Sequence, residues 1–408
     1  MFGVIMCVEV EKMINRPEYL EELISFKDKD LIKVVTGIRR CGKSTLFDLY
    51  CDYLLENGVS EEQIVRLNLE DADYDFITNY KELHDYIKEK LVKDKMNYVF
   101  IDEVQVIDMF EKACDSLYIK DNVDLYITGS NANLLSGELA TLLSGRYVEI
   151  KMLPLSFKEY ISYTGEVDLL RKYLDYTTKS SFPYTLKLDN SKEIRSYLDG
   201  IYNTIIIKDI VERKKIQDIS QLQSVIKFMF DIVGNLYSST KIANTMTSAG
   251  KNISVPTVES YLESLVEAFV LYKASRYDVK GKQHLTTGAK YYLSDIGLRY
   301  YLLGSKRVDD GAILENIVYL ELIRRGYGVY VGKSDEREVD FVAINETGEE
   351  YYQVAYTVRD ENTLKRELAS LESINDHNPK YLLTMDFTPF TSHNGIKQIN
   401  VLEWLLKK

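Results

Sequence analysis

Residues 31–50 read LIKVVTGIRRCGKSTLFDLY. Leu31 to Thr36 is a short, mostly apolar run of strand type, and from Leu46 the apolar residues return at helical spacing. Between them, GIRRCGKST fits G-x-x-x-x-G-K-[ST] in the context that pattern needs, a strand before it and a helix after it. Gly37 and Gly42 let the backbone curl, so that successive N–H groups converge on phosphate oxygens. The new helix adds the positive end of its dipole. Lys43 is placed to reach the β- and γ-phosphates, Ser44 to set its hydroxyl on Mg2+, and Thr45 to sit beside the α-phosphate. The stretch therefore predicts a site for ATP and Mg2+.

A second strand, MNYVFIDEVQ, ends in Asp102 and Glu103. Asp102 suits the carboxylate that holds the Mg2+ shell, and Glu103 the group that orients and deprotonates an attacking water. Adjacent acids here favour hydrolysis by water over transfer to a small acceptor. A third strand runs into small polar residues in DLYITGSNANLLSG, where Ser130, with Asn131 as runner-up, can sense the γ-phosphate or simply cap the next helix. Arg146 precedes a fourth strand; it is read as a transition-state arginine, in its own site or a neighbour's, or as a structural ion pair. Strands are expected at 31–36, 64–69, 98–101, 125–128 and 147–151, alternating with helices. That is a parallel sheet with nucleotide at the strand C-terminal ends.

The ordered set GIRRCGKST, VFIDEVQ, YITGSNANLLS, LSGR and LPLSFKEY resembles the prokaryotic AAA+ type P-loop ATPases whose C-terminal half is a domain of unknown function with a nuclease-like end. SSFPY (180–184) and IIIKDIVERKK, from Ile205 onward, resemble that family's middle segment. The resemblance covers nearly the whole chain. It implies a homo-oligomer with nucleotide at subunit contacts.

Composition narrows the remaining classes. The 408 residues are enough for two or three domains, and no apolar run is long enough to span a bilayer. MFGVIMCVEV lacks a basic lead and is read as a strand or packed arm. Cys7, Cys41, Cys51 and Cys114 form no CxxC pair, and only His84, His284, His377 and His393 occur. This opposes a disulfide framework or a zinc site and fits a cytoplasmic protein. Lys plus Arg total 51 against 63 Asp plus Glu, so the net charge is −12 and any nucleic-acid contact must rest on a local basic patch.

Residues 155–204 read as a helical, Tyr-rich lid region behind the sheet. From 206 to 303 three helical stretches and a hairpin suggest a winged helix. Its third helix carries Glu259, Glu263 and Glu267 on one face and no basic residue up to Leu271, the wrong sign for phosphate contact. Lys273, Arg276, Lys280 and Lys282 near the wing have the right sign. Arg213, Lys214 and Lys215 form a further basic cluster, usually a solvated face, from which Arg213 is a second candidate to reach the nucleotide.

The last hundred residues hold a helix with Glu315, a strand REVDFVAIN with Asp340, and a strand EYYQVAYTV with Gln353 and Ala355. The order resembles the PD-(D/E)XK nuclease core. In that pattern a second acid belongs at 353 and a lysine at 355, on one strand face. Both are missing, with Lys365 the only candidate stand-in considered, so strand cleavage is not expected. The fold class expected is α/β: an AAA+ type ATPase domain (1–204), a winged-helix-like domain (205–303) and a degenerate restriction-endonuclease-like domain (304–408). ATP binding and hydrolysis acting on DNA or a protein partner is the expected function; a DNA-processing nuclease or a nucleotide-bound scaffold are the rivals.

Overall fold

The computed structural model describes residues 14–135, 145–165, 168–304, 309–387 and 391–407. The arm expected at the N-terminus and Cys7 lie outside these residues. Five strands, β1 (Ile32–Thr36), β2 (Ile64–Asn68), β3 (Asn97–Asp102), β4 (Val123–Gly129) and β5 (Tyr147–Lys151), make a parallel sheet in the order β2-β3-β4-β1-β5. β1 and β3 are buried along their whole length. This is why they read as continuous apolar runs rather than alternating ones. The register sets Thr36 of β1 beside Gly129 of β4, and Ile101 of β3 beside Ile127. The C-terminal ends of β1, β3 and β4 therefore share one edge, where ligands of parallel sheets bind.

Helix Lys43–Glu56 leaves that edge and buries Leu46, Phe47, Tyr50 and Leu54 against the sheet. Phe47 packs edge-on against Phe100 of β3, with centroids 5.1 Å apart. This face of the sheet belongs to an apolar core that runs on as far as Leu405, while the other face, from Ile32 to Leu134, has a core of its own.

Helices Ile219–Asp231, Ser239–Ser248 and Val255–Glu267 follow, then the strands β6 (Leu271–Asp278) and β7 (Gln283–Leu293). The hairpin does not stop at the expected 303/304 boundary. β6 pairs in parallel with β8 (Gly328–Ser334), Arg276 opposite Val331, and so extends a mixed sheet containing β9 (Arg337–Asn345), β10 (Gly348–Ala355), β11 (Lys380–Thr384), β12 (Thr391–His393) and β13 (Ile396–Asn400). The order is β12-β13-β11-β10-β9-β8-β6-β7. Among the described residues, no helix is long and apolar enough to cross a membrane.

A buried carboxylate ties the end of this hairpin to the first half of the chain. Asp295 accepts hydrogen bonds from Ser180 Oγ (3.1 Å), Ser181 N (2.6 Å) and Ser181 Oγ (2.7 Å), and its other oxygen caps the following helix at Leu298 N (2.8 Å). Gly297 permits the approach, since a Cβ there would lie 2.4 Å from Ser180 Cα.

Candidate functional site

The phosphate loop is held from both ends. Gly37 carries φ +154°, and a Cβ on it would sit 2.1 Å from the Met152 carbonyl oxygen. Gly42, at φ +105°, is the residue from which helix Lys43–Glu56 starts. Beneath the loop lies Arg16, which sequence reading missed. Its guanidinium donates to Cys41 O (2.8 Å), Leu153 O (2.7 Å) and Glu159 Oε1 (2.7 Å), and it is 2% exposed.

Lys43 Nζ donates to Gly37 O at 3.1 Å and lies 3.5 Å from Glu103 Oε1. Glu103 occupies the left-handed region at φ 52°, a conformation rare for a residue with a side chain. Its N–H donates to Thr128 Oγ1 (3.0 Å), and its Oε2 accepts from Gln105 Nε2 (2.5 Å). Burial alone would raise its carboxyl. The charges of Lys43 and Arg39 and the hydrogen bonds of Gln105 and Ser130 outweigh that and hold it below the ordinary range. Glu103 is thus kept ionised beside the loop.

Asp102 is buried. One oxygen accepts from Thr128 Oγ1 at 2.7 Å; the other, Oδ2, has no hydrogen-bond partner. Burial raises its pKa, against the opposing influence of Thr128, Ser44 and the charge of Arg66. A buried carboxylate oxygen without a donor, beside a serine at a phosphate loop, is the donor set Mg2+ takes with phosphate oxygens and water. The residues therefore fit the ion.

Ser130 is buried with its Oγ 3.4 Å from Gln105 Nε2, so it stands next to the Glu103 carboxylate. Arg146 does not join this group. Its carbonyl bonds Ile32 N at the start of β1, the far end of the strand from the loop, and its guanidinium pairs with Asp115 Oδ1 (2.5 Å). A role in its own site is therefore excluded by position. Arg213 also stays away: with Lys214 it pairs with Glu267 (3.3 and 2.6 Å). That pairing corrects two expectations, since the basic cluster and one acid of the third helix neutralise each other inside the molecule.

The loop opens into a cavity of about 980 Å³. Lys43, Ser44, Thr45 and Glu103 line its phosphate end. Pro183, Tyr184, Tyr197 and Ile201 line another part, with the two tyrosine rings 5.1 Å apart. The segment expected as a lid behind the sheet thus walls the cavity itself.

The C-terminal carboxylates come together around a group that was not foreseen. Lys290 of β7 lies 2.9 Å from Glu315 Oε1, 2.8 Å from Glu338 Oε1 and 3.6 Å from Asp340 Oδ1, and is almost wholly buried. Burial would lower its pKa, but the three acids raise it. Gln353 accepts from Asp340 N (3.3 Å) and donates to Glu367 Oε2 (2.8 Å). Ala355 packs into an apolar cluster. Lys365 is no stand-in: it is exposed and faces Glu361 at 3.7 Å. Among the described residues, no group of three or more His, Cys, Asp or Glu is arranged to hold a metal ion.

Over 402 residues, 97% of this chain and 99% of the other, the sequence is 43% identical to an uncharacterized protein of Haemophilus influenzae. The chain belongs to that protein's family. An uncharacterized protein of the archaeon Methanocaldococcus jannaschii is 32% identical over 380 residues, 88% of this chain and 81% of its own length. Residues 29–161 match the AAA domain family, and residues 170–309 match a domain of unknown function. The AAA domain accounts for the five-stranded sheet and the phosphate loop, so the AAA+ type P-loop expectation holds for this part of the chain. Among solved structures, a Walker-type ATPase of Pyrococcus abyssi is 14% identical with a TM-score of 0.46, over 72% of this chain and 97% of that one. The ORC1 protein of Aeropyrum pernix in complex with DNA is 11% identical with a TM-score of 0.32, over 77% of this chain and 94% of that one.

Proposed function

We propose that this AAA-domain protein binds and hydrolyses ATP, and that the cycle switches its contacts with DNA or a protein partner. The observation that carries this reading is the triad at the strand ends: Lys43 on the loop, ionised Glu103 beside it, and Asp102 with one buried oxygen left unpartnered. Backbone N–H groups from Gly37 to Thr45 would cradle the phosphates, and Tyr184 and Tyr197 would flank the base. Ser44 and Asp102 would hold Mg2+, which, when bound, neutralises charge between the β- and γ-phosphates. Glu103 would orient and take a proton from water, with Gln105 and Ser130 fixing its carboxylate.

Arg146 would act, if at all, across a subunit contact in a homo-oligomer. The division into an ATPase part (1–204), a winged-helix-like part (205–303) and a nuclease-like part (304–408), and a cytoplasmic site of action, belong to the same proposal. The nuclease-like part is taken as a scaffold. Lys290 fills the centre of its carboxylates, and neither Gln353 nor Ala355 supplies the missing groups.

The test is steady-state ATP hydrolysis with and without single- and double-stranded DNA. Lys43→Ala should lose nucleotide binding, and Glu103→Gln should bind ATP and hardly turn over. Unchanged turnover in Glu103→Gln would remove the assigned base. Stimulation by DNA would favour DNA as the partner. Plasmid cleavage with Mg2+ or Mn2+ that disappears in Asp340→Ala would overturn the scaffold reading.

A further inference from the structure

Arg39 lies inside the phosphate loop, two residues after Gly37, yet its side chain is bound to the protein's own carboxylates. Nη1 donates to both oxygens of Glu70 (2.9 and 2.8 Å). Nε and Nη2 donate to the two oxygens of Asp209 (3.2 and 3.0 Å). The three residues come from separate places: the loop after β1, the turn after β2, and the π-helical segment Ile205–Glu212. Arg39 and Glu70 both line the cavity alongside Lys43, Ser44 and Glu103. The guanidinium is close enough to Glu103 to help keep that carboxylate ionised, and Asp209 in turn feels both Lys43 and Glu103.

A planar fork of donors held by two acids at the edge of a phosphate cavity is matched in geometry by a phosphate. The acids stand where anionic oxygens would stand. The terminal phosphate of a triphosphate must lie between Lys43 and Glu103 for hydrolysis to occur, which brings it within reach of Arg39. A diphosphate carries nothing there.

We infer that Arg39 is the residue by which the site distinguishes ATP from ADP, its guanidinium passing from Glu70 and Asp209 to the γ-phosphate when a triphosphate binds. The inference rests on the nucleotide-binding reading above. It also gives a route outward. Asp209 sits four residues before Arg213, which with Lys214 grips Glu267 at the end of helix Val255–Glu267. Release of Asp209 frees one end of the segment that joins the AAA domain to the three-helix region.

The experiment measures dissociation constants of the β,γ-imido analogue of ATP and of ADP, both with Mg2+, for the full chain and three variants. Arg39→Ala should weaken the analogue about tenfold or more, the loss of a charge-assisted pair, and leave ADP unchanged. Arg39→Lys should recover part of the loss. Asp209→Asn should move the other way, tightening the analogue alone, because a competitor for the guanidinium has lost its charge. Parallel changes for both nucleotides in Arg39→Lys or Asp209→Asn would reduce Arg39 to a structural brace and overturn the inference, and so would equal affinities in the unaltered protein. Failure of the unaltered protein to bind either nucleotide would overturn the proposed function, and the inference with it.

Discussion

At Gly37 the backbone has no room for a single extra carbon, because the Met152 carbonyl is already there. Gly37→Ala is therefore expected to push the loop off the sheet edge and abolish ATP binding, read by nucleotide titration, while Gly58→Ala, where a Cβ meets nothing within 4 Å, serves as the control. Arg16 gives a stability prediction. Arg16→Ala leaves Glu159 buried without its cation, a change that costs about 3–5 kcal/mol in comparable sites and is measurable by denaturant unfolding. Asp340 gives one with pH. Burial, and then the charge of Glu315, raise its pKa from the ordinary 3.8 to about 8. Between those values the folded chain holds a proton that the unfolded chain has released. Stability from this group therefore falls as pH rises from about 4 to about 8. Asp340→Asn should flatten that slope in unfolding curves taken at both ends of the range.

Among the elements, the five parallel strands were legible because each is a short apolar run ending in chemistry-bearing residues, and β5 lies at the expected 147–151. Lys43, Asp102, Glu103 and Ser130 could be named for the same reason: a strand end fixes which residue meets the cavity. What the sequence did not disclose are the pairs made by folding. Arg39 and Asp209 are 170 positions apart. Lys290 stands on a strand that reads as part of a wing, and only the β6–β8 pairing brings that hairpin to Glu315 and Asp340. A lysine on a strand face carries no local mark of its partner. Lys365 was considered for the opposite reason, nearness in sequence, but its helix turns it to solvent. The strand-level prediction concerns Lys290. Lys290→Met should destabilise by about 3–5 kcal/mol by leaving three acids facing one another. Adding Glu315→Gln should recover part of the loss, a coupling that a double-mutant cycle measures directly.

Across the whole molecule, Asp295 connects the cavity to a distant part of the chain. It does not line the cavity, but it holds Ser180 and Ser181, and Pro183 and Tyr184 follow directly. Asp295→Ala is expected to weaken nucleotide binding about tenfold with no residue of the cavity altered, measured by the same titration as for Gly37. An unchanged affinity would mean the wall stands without its anchor.

That anchor has a bearing on how the protein comes into being. A chain made from its N-terminus completes β1 to β5, and with them the phosphate loop, well before residue 295 has been joined. The aromatic wall that selects what rests on the loop is fastened only afterwards, by a residue that follows the β7 strand. During synthesis the protein thus passes through a stage in which it has a grip for phosphate but no settled seat for a base. Fragments that end short of Asp295 should remain at that stage, holding inorganic phosphate or pyrophosphate as readily as a nucleotide.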